Sequence, residues 1–222
     1  MAETLQLQKS KKKEKLGELA DFWKKIKLKD ESKKLTMFLA LLGGAVVGRV
    51  ALQAVPSVEP IIPFAILAGL IFGMKEGFTL GGGAYIISNF FIWGLQGPWT
   101  IFQAIGGALA GVLGGAYGKV RKPKQFDLIT LTIVGTVMFE FVMNLTGPLM
   151  GIGLFVGLLS IPIYFLTSLP FTAIHIASNI VFARLMYPLL KLRRNEDELK
   201  IVSVRRVAGD GDTNYRMYRG KP

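Results

Sequence analysis

Between residues 35 and 190 the chain is a succession of apolar runs separated by short turns. The runs cover approximately 35–54, 59–74, 77–94, 100–118, 127–146 and 170–190. Each approaches the roughly 20 apolar residues a helix needs to cross about 30 Å of hydrocarbon. The second is short, and Pro60 and Pro63 near its start predict an irregular entrance. The turn "SNFFIWGLQGPWT" at 88–100 carries no charge, where a turn in a soluble domain normally would. Trp93 and Trp99 flank it, as expected of indoles at a membrane interface. The pattern predicts an all-α membrane protein with six transmembrane helices.

Residues 147–169 form a further apolar block that is long enough to span, which would make seven helices. Charge decides between the two counts. Lysines and arginines crowd the N-terminal tail, position 75, the "KVRKPK" loop at 119–124 and "KLRR" at 191–194. The turns at 54–58 and 94–100 and the block 147–169 hold none. Because cytoplasmic loops collect Lys and Arg, six spans with both termini inside satisfy every assignment, and a seventh would put the basic C-terminal tail outside. The glycines and Pro162 of the block fit an apolar re-entrant or capping segment between helices five and six better than a straight helix.

Three regions follow: a basic cytoplasmic tail or interfacial amphipathic helix at 1–34, a six-helix transmembrane domain at 35–190, and a charged cytoplasmic tail at 191–222. In the first, Leu16, Leu19, Trp23 and Ile26 recur at helical spacing among lysines, a pattern suited to an anionic inner leaflet. No apolar core lies near Met1, so no cleavable signal peptide is expected. From Asn195 onward the charged, Gly-containing sequence is expected to be mostly disordered.

The 27 basic against 15 acidic residues give a net charge of +12, which in a soluble protein would first suggest nucleic acid. Here the charge sits in the flanks, with no basic stripe interleaved with aromatics, so no nucleic-acid partner is expected. With no cysteine and only His175, neither a thiolate site nor a multi-histidine metal site can form, and no metal or cofactor is expected. "GGAYGKV" fails as a phosphate loop: three residues separate Gly114 from Gly118, and Val120 follows Lys119. Ser178 lies near His175 without a nucleophile-elbow motif, so an enzyme is not expected.

Two features carry candidate chemistry. Small residues recur every fourth position at Ala40, Gly44 and Gly48 in the first span, and at Gly107, Gly111 and Gly115 in the fourth. Such stripes let helix backbones approach closely in lipid. The fourth-span stripe predicts internal packing, and the first-span stripe a docking surface for another membrane protein. The second feature is polar. Asn89, Glu140 with Asn144, and His175 with Asn179 lie in the outer half, and each pair four apart shares a helix face. Asn144 and His175 are expected near the outer surface, with Glu140 and Asn179 about one turn deeper. An intramembrane carboxylate marks a functional site unless it is neutralised structurally, for instance by Arg49. Gln96 and Trp99 on the turn above would complete an outward-facing polar cavity.

These pieces resemble the S components of energy-coupling-factor (ECF) transporters. The resemblance rests on "VPSVEP" (55–60), "LAGLIFGMKEG" (67–77), the 88–100 turn, the Gly-rich fourth span, "FEFVMN" (139–144) and "LPFTAIHIASN" (169–179), in family order over roughly residues 35–190. It departs at Ser57, where relatives of this type tend to have Asn. The resemblance implies a prokaryotic cell-membrane protein that captures a vitamin or related micronutrient from outside. Its partners would be a transmembrane coupling subunit, docked on the Ala40–Gly44–Gly48 stripe, and two cytoplasmic ATPases. Loops 54–60 and 147–169 would be lids, and the protein would topple in the membrane to release its cargo. Within that class the sequence looks most like the cobalamin or corrinoid branch, with thiamin, riboflavin and biotin left open. The competing reading is a ligand-free structural or assembly-factor membrane protein.

Overall fold

A computed structural model describes residues 30–92, 97–151 and 154–208. Gln96, Trp93 and the amphipathic stretch at 16–26 lie outside the described residues. Within them there are six helices and no strand: α1 (Asp30–Ala51), α2 (Ile61–Phe72), α3 (Met74–Asn89), α4 (Trp99–Val120), α5 (Gln125–Gly151) and α6 (Leu154–Ala208). Four of them, α1, α4, α5 and the Phe155–Lys191 part of α6, are long and apolar enough to cross a membrane. The chain is therefore an all-α, membrane-embedded protein, as the apolar runs predict.

The short second run forms the centre. Eight of the twelve residues of α2 are buried, and it packs against α3, α4, α5 and α6. Pro60 stands at its N-terminus, where the missing amide proton costs nothing. At its other end Gly73, with φ +116°, reverses the chain directly into α3, a conformation that favours glycine.

The fourth-span glycines pack internally. A Cβ added at Gly107 would lie 2.6 Å from the Gly81 carbonyl oxygen and 2.6 Å from the Tyr85 ring, and one at Gly114 would lie 2.9 Å from the Ile66 Cα. One at Gly111 would collide with the Gly77 backbone. Backbones of α2, α3 and α4 thus meet with no side chain between them, the contact that replaces hydrophobic drive in lipid.

The first-span stripe splits. Ala40 is exposed. A Cβ at Gly44 would lie 3.0 Å from Phe64, and one at Gly48 2.7 Å from Pro60, so these two glycines face α2 in the same chain. A repeat of four falls behind the 3.6-residue turn, which carries one end of the stripe inward. The outward face of α1 is Leu35, Leu39, Ala40, Gly43 and Val47.

Two expectations change at the C-terminal end. The described residues of the block at 147–169 are helical, divided between the end of α5 and the start of α6, and Pro162 and Pro170 are accommodated within helix. Phe141 and Phe165 pack across this hairpin with ring centroids 5.6 Å apart. The 37 residues of Phe155–Lys191 reach about 55 Å, well beyond one crossing. Past Lys191 the helix continues to Ala208, so the first part of the charged tail is ordered as helix rather than disordered.

Lys34, Lys75, the 119–124 loop and Lys191 share one end of the bundle, tied by a Lys34 Nζ–Glu76 ion pair at 2.9 Å and by Tyr117 donating to Asp127 at 2.6 Å. The opposite end holds the buried polar residues.

Candidate functional site

Arg49 enters this end from α1 as a buried cation, and it needs a counter-charge. Its partner is Glu59, ten residues on and across the α1–α2 turn: Nε donates to Glu59 Oε2 at 2.6 Å. The same guanidinium donates through Nη1 to Ser88 Oγ at 2.7 Å and to Asn89 Oδ1, both on α3. It also lies over the Tyr85 ring, 4.8 Å from the centroid, while the Tyr85 hydroxyl donates to Glu59 Oε1.

Asn89 is fully engaged. With Oδ1 accepting from Arg49, its Nδ2 donates to Thr100 Oγ1 at 2.7 Å and to Gln103 Oε1 at 2.8 Å, both on α4. The partners fix the orientation of the amide. Asn89 is therefore the junction of α1, α3 and α4.

Aromatic stacking carries the network across the bundle. Tyr85 lies between Arg49 and Phe139 of α5, the two rings stacked at 5.1 Å, and Phe139 meets the His175 ring edge-on at 5.6 Å. On that far side Glu140 Oε1 lies 2.6 Å from His175 Nδ1, and Thr172 donates to Glu140 Oε2 at 3.4 Å. The partner of Glu140 is thus His175, and Arg49 is spent on Glu59. This corrects the expected depths: Glu140 and His175 are level, not one turn apart. Asn179 forms the rung below, donating from Nδ2 to Thr136 Oγ1 at 3.0 Å, while Thr136 donates to the Thr132 carbonyl at 2.8 Å.

The α5–α6 side keeps unused hydrogen-bonding capacity. His175 Nε2, Asn179 Oδ1 and Thr132 Oγ1 are buried without a hydrogen-bond partner among the described residues. The nearest carboxylate to Nε2 is Glu59 Oε1 at 3.8 Å, beyond hydrogen-bond reach. Buried polar atoms are rarely left unpaired, and two of these, on His175 and Asn179, stand one turn apart on α6.

Of the residues expected to form one cavity, the structure brings Glu140, His175 and Asn179 together, with Asn144 buried on α5 one turn beyond Glu140. Asn89 belongs to the other side of the network. Trp99 begins α4, and its indole packs over Gly147, where a Cβ would lie 2.7 Å from Cη2; Tyr164 approaches the same glycine. Gln96 is outside the described residues. Sequence reasoning missed Glu59, Tyr85, Ser88, Gln103 and Thr136. Only Glu59 had a signal, as a carboxylate ten residues after a cation in an apolar span.

Comparison with protein-family models, curated proteins and solved structures yields no match for this chain.

Proposed function

We propose that this chain is the substrate-capture subunit of an ECF-type importer. It binds a vitamin or related micronutrient from outside, a corrinoid being the best candidate, and delivers it with a transmembrane coupling subunit and two ATPases. It has no catalytic step of its own. Both termini are cytoplasmic, because the basic clusters share the end of the bundle opposite the buried network.

The observation that carries this reading is the pair of unpaired buried atoms, His175 Nε2 and Asn179 Oδ1, on α6 beside Glu140 and Thr136 of α5. Small-molecule sites are largely apolar with a few placed polar groups, and this arrangement has that character. The motif order over 35–190 supplies the family. The ligand-free assembly-factor reading draws on the saturated Arg49–Glu59–Asn89 side, which needs no ligand.

Native mass spectrometry of the protein purified from its own host membranes tests the proposal. A retained small molecule and co-purifying ATPase subunits are expected. A ligand-free chain without those partners would favour the assembly-factor reading. A reporter fused after Pro222 should read as cytoplasmic, and an outside signal would restore a seventh crossing.

A further inference from the structure

The first turns of α1, at the basic end of the bundle, border a groove of about 400 Å³. Along α1 its lining passes from Ser32, Lys33 and Lys34 to Met37 and Ala40, and Phe72 of α2 supplies the facing wall. Residues 32 to 40 climb about 12 Å along the helix, so the groove turns from charged to apolar over that length. The 22 residues of α1 reach about 33 Å, close to the roughly 30 Å of hydrocarbon. Its first turn therefore stands where headgroups give way to acyl chains. Lys34 Nζ donates to Glu76 Oε1 at 2.9 Å and lies 5.9 Å from the Phe72 ring centroid. The ion pair and the ring hold the ammonium in place and leave its remaining donors to the groove. Two lysines line this groove and no carboxylate does. A second groove, on the other side of α1, sets Lys34 and Lys75 against Glu31 and Glu76, and its charges cancel. The first groove selects an anion and the second does not.

We infer that the groove beside Lys33 and Lys34 holds one anionic phospholipid, its phosphate at the two lysines and an acyl chain along Met37, Ala40 and Phe72. The lining follows the order of groups in such a lipid, with charge at the interface and apolar surface below it. A soluble phosphate would use the lysines and leave the apolar part unfilled. The chain's own preceding residues suit the groove poorly, because Lys24, Lys25, Lys27 and Lys29 would bring like charge to the lysine end. Ala40 contributes through its size, since a larger side chain there would fill the apolar part. The site is independent of any transported substrate. It takes from the proposed function only the orientation that sets this end in the cytoplasmic leaflet, where anionic lipids collect.

The test is native mass spectrometry of the delipidated full-length protein, titrated with dioleoyl phosphatidylglycerol, dioleoyl phosphatidylcholine or the bare headgroup glycerophosphoglycerol. One phosphatidylglycerol should bind saturably, more tightly than phosphatidylcholine, and the bare headgroup should not be retained. Lys33→Gln and Lys34→Gln should each weaken phosphatidylglycerol binding by about fivefold, the worth of one basic residue near an anionic lipid surface. Lys122→Gln, exposed in the 119–124 loop at the same end, should leave it unchanged. Ala40→Phe keeps every charge and fills the apolar part, so it should weaken binding too. That variant decides the matter even if Lys34→Gln, which deprives Glu76 of its partner, folds poorly. Five results would overturn the inference: equal binding of the two lipids, an equal loss in Lys122→Gln, a headgroup held as tightly as the lipid, an Ala40→Phe variant that binds normally, or no lipid bound at all. The second would mean diffuse surface charge, and the third a site for free phosphate. Failure of the proposed orientation looks different: the reporter fused after Pro222 would read as outside, and lipid binding in solution would be unaltered.

Discussion

The buried polar network has two sides that differ in how fully their groups are used. On the α1–α3–α4 side, Arg49 is bonded to both Glu59 and Asn89, the three reach on to Tyr85, Ser88, Thr100 and Gln103, and the Asn89 amide has no atom to spare. On the α5–α6 side, Glu140, His175 and Asn179 are held by one or two contacts each, and an imidazole nitrogen and an amide oxygen are left open. Both sides are buried in the same bundle and joined through Tyr85 and Phe139. A saturated network fixes helices in register, whereas an unsaturated one bears a cost that a ligand can relieve. Identical residue types, Asn89 and Asn179, thus carry different work because of what their neighbours have already taken.

The largest expected effect lies beneath both sides, where α2, α3 and α4 touch backbone to backbone. Gly111→Leu should abolish folded protein, because even a Cβ there collides with the Gly77 backbone and neither helix can yield without the other. Loss of the monodisperse peak on size exclusion would report it. A normally folded variant would mean that the close approach is not what holds these helices.

Next comes Asn89→Ala, which removes the acceptor of a buried guanidinium and the donor to two α4 side chains. A loss of about 3 kcal/mol is expected, within the range for breaking a buried, charge-linked network. Asn179→Ala gives up one hydrogen bond, so its stability cost should stay near 1 kcal/mol. Thermal unfolding of the two variants side by side sharpens the comparison, and equal losses would erase it.

A smaller contrast separates the two ends of the α1 stripe. Gly48→Leu should destabilise the chain by about 1–3 kcal/mol by overpacking against Pro60. Ala40→Leu, on the exposed face, should leave stability unchanged and reduce co-purification with a coupling subunit. The reverse pattern would return Gly48 to the docking surface.

Six helices, the internal packing of the fourth-span glycines and the shared face of His175 and Asn179 were all readable, because each depends on spacing within a single helix. The pairing of Glu140 with His175 was not readable. Relative depth across two helices depends on how far each slides, and a half-turn error changes the partner. Arg49 advertised its need for a counter-ion, yet Glu59 sits in an irregular turn where periodicity says nothing about burial. The prolines at 162 and 170 read as interruptions, but a helix in lipid retains its backbone bonds around them where a soluble one often breaks. Ser57 has φ +59°, a left-handed conformation that Asn tolerates better than most residues and that spacing could not reveal. Ser57→Asn should therefore stabilise the chain slightly, by about 0.5 kcal/mol or less, and a lower unfolding temperature would count against the strained turn.

The most direct test of a ligand site on the α5–α6 side is the affinity of whatever small molecule host-purified protein retains, measured by native mass spectrometry for the wild type, Asn179→Ala and Trp99→Ala. Asn179→Ala should weaken binding by several-fold to tenfold with the fold intact, and Trp99→Ala, which loses a larger apolar contact, by more. If both variants hold the ligand as tightly as the wild type, the open imidazole and amide are not where it binds, and these residues serve packing alone.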